Sequence, residues 1–424
     1  MSDNPGAPAQ GKRPLRFPDG FLIGASTAGH QTEGNNTNSD WWEFEHRPGS
    51  PVHEPSGDAC DSYHRYPEDI GLVAGFGLNA YRFSVEWPRL EPAEGMFSRA
   101  ETAHYRRVLA ACHEHGIVPV VTYNHFTLPL WLQRRGGFAA DDFPQLFQRF
   151  CAHVTRTLGD LIGWAVTINE PEGAGDAGYV LGIHPPGRVG DRELAHRVAD
   201  NVLTAHRLGV KAIHDHGSMP AGVSLALQDM QYEDGATPGK TEWELNALIS
   251  ERYIEAAQED DFVGLQTYTR IRFGPEGERG PGLHPENKNG LVETDDTTQV
   301  GWEFYPEALD GTIRRVHRVS GGKPILLTEN GVATTHDPKR VAFMDRALRA
   351  VHTCLADGID VRGYLHWSLL DNYEWSGGFE PTFGLVAVDR QTFARRPKES
   401  AYWLGDVARS RCLPAEPVTW PPAA

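Results

Sequence analysis

Two glutamates stand out for their settings. Glu329 closes the apolar run in Lys323-Pro-Ile-Leu-Leu-Thr-Glu-Asn-Gly331, and Glu170 sits in Thr167-Ile-Asn-Glu-Pro171. Each is flanked by an asparagine, Asn169 or Asn330. A short apolar run that stops at one carboxylate is the pattern of a buried strand delivering a charge at its C-terminal end. Burying such a group is costly unless it is paired or used. Alone, either glutamate is as readily a salt-bridge partner as a reactive group. Two of them, at two strand ends, are the equipment for breaking a glycosidic bond. One carboxylic acid protonates the leaving oxygen while a carboxylate attacks the anomeric carbon. The neighbouring asparagines can both donate to and accept from sugar hydroxyls.

The elements that must position these groups alternate regularly. Strand-like runs are read at Phe21 to Ile23, Asn79 to Ser84, Val118 to Tyr123, Trp164 to Ile168, Ala221 to Leu227, Phe262 to Gln266, Ile325 to Thr328 and Val361 to Trp367. Between them lie stretches with helical spacing, such as Tyr105, Val108, Leu109 and Cys112, or Phe143, Leu146, Phe147, Phe150 and Val154. Pro67 reads as opening one helix that Gly77 stops, and Asp337 as capping another whose first residue is Pro338. Eight such alternations predict an α/β fold, a (β/α)8 TIM barrel forming a single domain with long βα loops. An open doubly wound sheet is the alternative, but no Gly-x-Gly-x-x-Gly follows the first strand. The long stretches Gly34 to Tyr63, Gln228 to Trp243 and Arg272 to Trp302 are expected to build a pocket wall.

In a barrel of this kind the reactive groups sit at the C-terminal strand ends. Reading those ends in order yields Arg82, His125, Asn169 with Glu170, Tyr268, Glu329 and Trp367. A cation such as Arg82 beside Glu329 would keep that carboxylate ionised. His125 alone is equally a core histidine. The pairs His113/His115 and His214/His216 are two apart on helices and do not face one another, so they read as surface residues and not as metal ligands.

Composition narrows the function further. The 424 residues carry 57 acidic and 40 basic side chains, a net charge of −17, which argues against a nucleic-acid partner. No apolar run reaches the ~20 residues needed to span a bilayer, so no membrane association is expected. Residues 1-14 read as a disordered polar leader without the hydrophobic core of a signal peptide, 15-410 as the catalytic barrel, and 411-424 as a C-terminal tail; a cytoplasmic location is expected. The five scattered cysteines indicate neither a disulfide framework nor a zinc site. A homo-oligomer is compatible with the sequence, which does not determine it.

Taken together the motifs resemble glycoside hydrolase family 1, the retaining β-glucosidase and β-galactosidase type, from about Phe17 to about Trp403. Phe21-Leu-Ile-Gly-Ala-Ser-Thr-Ala-Gly-His-Gln-Thr-Glu-Gly34 resembles the family's opening segment, and Tyr81-Arg-Phe-Ser-Val-Glu-Trp-Pro-Arg89 its second strand. Thr167-Ile-Asn-Glu-Pro171 resembles its acid/base motif, Leu327-Thr-Glu-Asn-Gly331 its nucleophile motif, and Trp367-Ser-Leu-Leu-Asp-Asn-Tyr-Glu-Trp375 its sugar-binding segment. The resemblance implies that Glu170 is the general acid/base and Glu329 the nucleophile. It implies that Asn169 touches the sugar 2-hydroxyl, and that Tyr268 and Arg82 position Glu329 and hold its charge. Gln31, His125, Glu374 and Trp375 would grip the remaining hydroxyls, Trp367 would form the floor under the ring, and Phe383 would line its edge. The substrate implied is a small-molecule β-glycoside, with no cofactor and no metal. Glu374, with no lysine in the loop that follows it, disfavours 6-phospho-sugars.

Several positions depart from the family pattern. Phe126 follows His125 where tryptophan is usual, Gln266-Thr267-Tyr268 replaces Asn-Tyr-Tyr, Glu172 replaces an aromatic residue, and His366 precedes Trp367. None removes a catalytic group. Phe126 and Gln266 bear on sugar recognition, and Glu172 on the leaving-group side. A transglycosidase, a natural-product deglycosylase and an inactive sugar-binding relative stay open as alternatives at this stage. The last is disfavoured because both glutamates are kept.

Overall fold

The computed structural model describes residues 14–236, 250–275, 277–279 and 293–421. Leu22–Ser26 (β1), Ala80–Ser84 (β2), Val118–Asn124 (β3), Trp164–Asn169 (β4), Ala221–Ala226 (β5), Phe262–Gln266 (β6), Ile325–Asn330 (β7) and Val361–Trp367 (β8) form one closed barrel. All neighbours pair in parallel, and β6 against β7 completes the circle. The expected (β/α)8 architecture is therefore the one observed. The connecting helices are Ser62–Phe76 (α1), Arg99–Glu114 (α2), Phe143–Leu158 (α3), Arg192–His216 (α4), Ala308–Val319 (α5), Asp337–Ala356 (α6) and Glu399–Ser410 (α7); residues 250–256 are also helical.

Two apolar layers hold the barrel. Leu22, Ala80, Val120, Val166, Phe262, Leu326 and Leu365, one from each of seven strands, fill the interior. The alternate strand residues face outward and pack under the helices in one large cluster that includes Ile23, Val121, Leu327 and the α3 stripe of Phe147, Phe150 and Val154. Parallel strands covered on both sides read as nearly continuous apolar runs, which is why they are visible in the sequence.

Strict alternation fails at the two strand ends that matter most. Leu326 points into the barrel, so a regular β7 would send Thr328 inward and Glu329 outward. The register against β6 slips between Leu327 and Glu329, and the same slip appears against β8. On β4, Val166 is interior and the register against β5 slips before Asn169. Such irregularities re-aim a side chain. Here they turn Glu329 and Asn169 into the barrel mouth.

Several boundaries move from the sequence expectation. Helix α1 begins at Ser62 and carries Pro67 inside it, so Pro67 does not open the helix. The polar first turn, Ser62-Tyr63-His64-Arg65-Tyr66, gives no apolar period to reveal it. The cap of α6 is His336; Asp337 is its first residue, and its carboxylate accepts instead from the Ser400 backbone and hydroxyl at 2.8 and 2.7 Å. The stretch Gly34 to Tyr63 is not all loop: Asp40–His46 is helical, with Ser39 accepting from the Trp42 N–H at 3.0 Å. The two later long stretches fall partly outside the described residues. Within the rest, Asp229–Tyr232 pairs in parallel with Arg270–Gly274. Beyond α7, Cys412–Leu413 pairs with Leu15–Arg16, so the stretch after residue 410 closes against the start of the barrel segment. Residues 1–13 lie outside the described residues. Among the described residues, no helix is long and apolar enough to cross a membrane.

Gly331, just past Glu329, has no room for a side chain. An added Cβ would sit 2.0 Å from the Trp367 carbonyl oxygen. Gly331→Ala is therefore expected to cost about 1–3 kcal/mol and lower Tm by a few degrees. Thermal unfolding checks this, and an unchanged Tm would refute the close packing of β7 on β8.

Candidate active site

Arg82 is the hub of the barrel mouth. Projecting from β2, it is fully buried, and its hydrogen bonds, including a 3.4 Å one from Nη1 to the Thr328 carbonyl, compensate its desolvation. Its Nε donates to Thr122 Oγ1 at 3.0 Å, Nη1 to Glu329 Oε1 at 2.5 Å and Nη2 to Asn169 Oδ1 at 2.6 Å. One guanidinium thus spans β3, β4 and β7. Tyr268, just beyond β6, donates to Glu329 Oε2 at 2.6 Å. Gln266, the last residue of β6, donates to Glu329 Oε1 at 2.8 Å and to Asn169 Oδ1 at 2.7 Å. Every oxygen of Glu329 therefore meets a donor.

Glu170 differs. Its backbone takes a left-handed conformation, φ +46°, and its N–H is fastened to the Ser224 carbonyl at 2.8 Å. Its carboxyl pairs with no cation among the described residues. Burial first, and the Glu329 charge second, push it well above the usual carboxylate range. Burial also raises Glu329, and the Arg82 charge and the Tyr268 and Arg82 hydrogen bonds offset part of that rise. The two carboxyls are thus unequal: both are raised by burial, but only Glu329 has a cation and a tyrosine hydroxyl bonded to it that oppose the rise, while the Glu329 charge pushes Glu170 further up.

A second group surrounds Glu374. Its carboxyl accepts from Trp367 Nε1 at 3.2 Å, Asn372 Nδ2 at 3.0 Å and Gln31 Nε2 at 3.4 Å. Burial, opposed by the Trp367 hydrogen bond and reinforced by the Glu329 charge, pushes it up to about 8. His125 joins the two groups. It lies 3.3 Å from Asn169 Nδ2 through Nε2, and its ring stacks on both Trp367 and Trp375, with centroids 6.0 and 6.1 Å away. Burial, with Arg82 adding to it, holds His125 well below its usual range, so it is neutral. Phe383 packs edge-on to Tyr268 at 6.0 Å and clusters with Trp367.

All the side chains singled out from the sequence thus converge on one mouth. Glu86 steadies its loops, accepting from Ser84 Oγ at 2.9 Å, Asn36 Nδ2 at 2.8 Å and Thr127 Oγ1 at 2.6 Å. Beyond Glu170 a chamber of about 270 Å³ opens, lined among others by Phe126, Glu172, Leu181, His184 and Met230. Burial pushes Glu172 up to about 8, and its carboxyl accepts from the Ala226 N–H.

The family model for glycosyl hydrolase family 1 matches residues 14–256 and 233–412. The chain belongs to that family. Among solved structures, the β-glycosidase BGL167 is 45% identical, covers 95% of this chain and 99% of its own, and superposes with a TM-score of 0.82. The β-glucosidase 1317 is 41% identical over 92% of this chain and 98% of its own, with a TM-score of 0.81. The thermostable β-glucosidase B of Thermobispora bispora is 34% identical over 94% of this chain and 92% of its own length. This family 1 member is accordingly a glycoside hydrolase. The pocket of this hydrolase also contains residues that sequence reasoning missed. Trp41 packs on Trp375 at 4.5 Å, and His30 stacks on Trp375 at 5.7 Å and 3°. His184 meets both Trp41 and Phe126, and burial lowers it to about 4. For Trp41 the signal in the sequence is a tryptophan pair, Trp41-Trp42, inside a long stretch between strands, and for His30 its place in the opening segment. Gln266 was visible as a departure from the family pattern, but nothing in the sequence tied it to Glu329.

Proposed function

We propose that the enzyme is a retaining exo-β-glycosidase acting on terminal, unphosphorylated β-D-glucosides, with tolerance for β-galactosides or β-fucosides. Glu329 is the nucleophile and Glu170 the general acid/base. The observation that carries this reading is the asymmetry of the two carboxyls. Glu329 is gripped by Arg82, Gln266 and Tyr268, whereas Glu170 forms no ion pair among the described residues and feels the Arg82 charge less than its burial and the Glu329 charge. In the first step Glu170 protonates the leaving oxygen while Glu329 attacks the anomeric carbon, forming a covalent glycosyl-enzyme. The Glu329 charge is then gone, so Glu170 ionises more readily and takes a proton from water in the second step. The carboxyls of such a pair lie ~5–5.5 Å apart.

Asn169, His125, Gln31, Glu374 and Trp375 would read the sugar hydroxyls, Trp367 would underlie the ring and Phe383 its edge. The three donors on Glu374 are all neutral, so a 6-phosphate would meet a carboxyl group and no bound cation. The chamber beyond Glu170 would take the leaving group, and its room, lined by Phe126, Leu181 and Met230 as well as by Glu172 and His184, also favours a second reading, transfer to alcohol acceptors or deglycosylation of a natural product. The five unpaired cysteines support a reducing compartment, the cytoplasm. Product NMR on an aryl β-glucoside is expected to show the β-anomer first. The α-anomer appearing first would overturn the mechanism.

A further inference from the structure

Gln266 is fully buried at the end of β6, and its amide nitrogen donates to both Asn169 Oδ1 and Glu329 Oε1, at 2.7 and 2.8 Å. Its orientation is imposed by those acceptors. Asn169 Oδ1 already takes Arg82 Nη2 at 2.6 Å, so turning the amide over would set its oxygen against a carboxylate and a second carbonyl-type oxygen. The cost is visible on the other side, where Gln266 Oε1 is buried without a hydrogen-bond partner among the described residues. The donors on Glu329 are also uneven: Oε1 holds Arg82 and Gln266, and Oε2 holds Tyr268.

We propose that Gln266 is a positioning residue for the second half of the reaction, keeping an N–H on Glu329 as that carboxylate leaves the anomeric carbon. This rests on the reading of Glu329 as nucleophile. In the first step a Glu329 oxygen bonds to C1, the C1–O bond to the leaving group breaks, and the Glu170 proton goes to that oxygen. Glu329 passes from carboxylate to ester, and the Gln266 hydrogen bond weakens as the charge is lost. In the second step a water oxygen bonds to C1 and gives its proton to Glu170. The C1–O bond to Glu329 breaks, its electron pair returns to the carboxylate, and the hydrogen bond strengthens. An interaction that is stronger in the transition state than in the state before it accelerates that step only. Gln266 therefore assists departure of Glu329 and not its attack.

Gln266→Met keeps the chain length and removes the N–H. Asn169 and Glu329 both retain Arg82. On an activated aryl β-glucoside, whose second step limits turnover, kcat is expected to fall about tenfold while kcat/KM stays within about threefold, so that KM falls with kcat. The glycosyl-enzyme should accumulate by intact mass, and azide should restore part of kcat. Gln266→Asn retains a buried amide, and with it the fold, and is expected to move both parameters the same way to a smaller extent. Equal falls in kcat and kcat/KM at unchanged KM would assign Gln266 a merely structural role and overturn the proposal, as would an unchanged kcat. Mapping the adduct of a 2-deoxy-2-fluoro-glucoside separates the two levels. A label away from Glu329 removes the premise, whereas a label on Glu329 without the KM–kcat split removes the proposal alone.

Discussion

Glu329→Gly is expected to reduce hydrolysis by about 10⁵-fold, the scale seen when a covalent nucleophile is removed. Among the described residues, Glu329 is the one carboxylate that Arg82, Gln266 and Tyr268 grip together. Removing it leaves those donors facing a hole of anionic preference on the far side of the sugar from Glu170. Azide, a small anion, is the probe for that hole. Supplied with azide and an activated aryl β-glucoside, the variant should regain turnover and release the α-glycosyl azide, because the small anion attacks from the face that Glu329 occupied. Product NMR reads the outcome. Residual hydrolysis close to wild type, or a β-azide product, would remove Glu329 from the nucleophile's role.

Glu170→Ala carries the second largest effect, and it depends on the leaving group. Loss of general acid catalysis typically costs 10²–10⁴-fold. For a sugar or alkyl leaving group we expect about 10³-fold in kcat/KM. For a dinitrophenyl leaving group, which departs without a proton, we expect less than about tenfold. The pH profile provides a second readout. In the wild type kcat/KM is expected to fall at low pH as Glu329 gains a proton and at high pH as Glu170 loses one; the raised position of Glu170 would place that second fall well above the ordinary carboxylate range. The variant should keep the acid fall and lose the alkaline one, apart from a residue belonging to Glu374 and Glu172, which burial brings to about 8. With azide it should form the β-glycosyl azide, since Glu329 still makes the intermediate. If good and poor leaving groups slow equally, Glu170 is not the acid.

The barrel was legible because its strands are covered on both faces. Val118–Asn124 is mostly apolar and almost wholly buried, Val361–Trp367 is buried except at Arg362, and the stripes on α3 and α4 repeat often enough to be counted. Where a pattern is short or polar the reading failed. The first turn of α1 has no apolar residue to place Pro67 within it. The helix Asp40–His46 spans only two turns in a stretch rich in Asn, Gly and Pro, yet it delivers Trp41 to the wall of the pocket.

The sequence by itself determined which chemical groups stand at the strand ends and in what order: Arg82, His125, Asn169 and Glu170, Tyr268, Glu329, Trp367. That follows from the fold rule that parallel barrels present their C-terminal ends on one face. Only the tertiary structure decided how those groups are aimed and loaded. A period of two would have turned Glu329 away from the mouth, and the slip in register that turns it inward depends on how β7 lies against β6 and β8, which no single strand encodes. The same holds for the bond from Gln266 to Glu329, made across 63 residues of chain. The burial that raises Glu170, and the three donors that oppose the rise on Glu329, likewise arise only once the eight strands have closed.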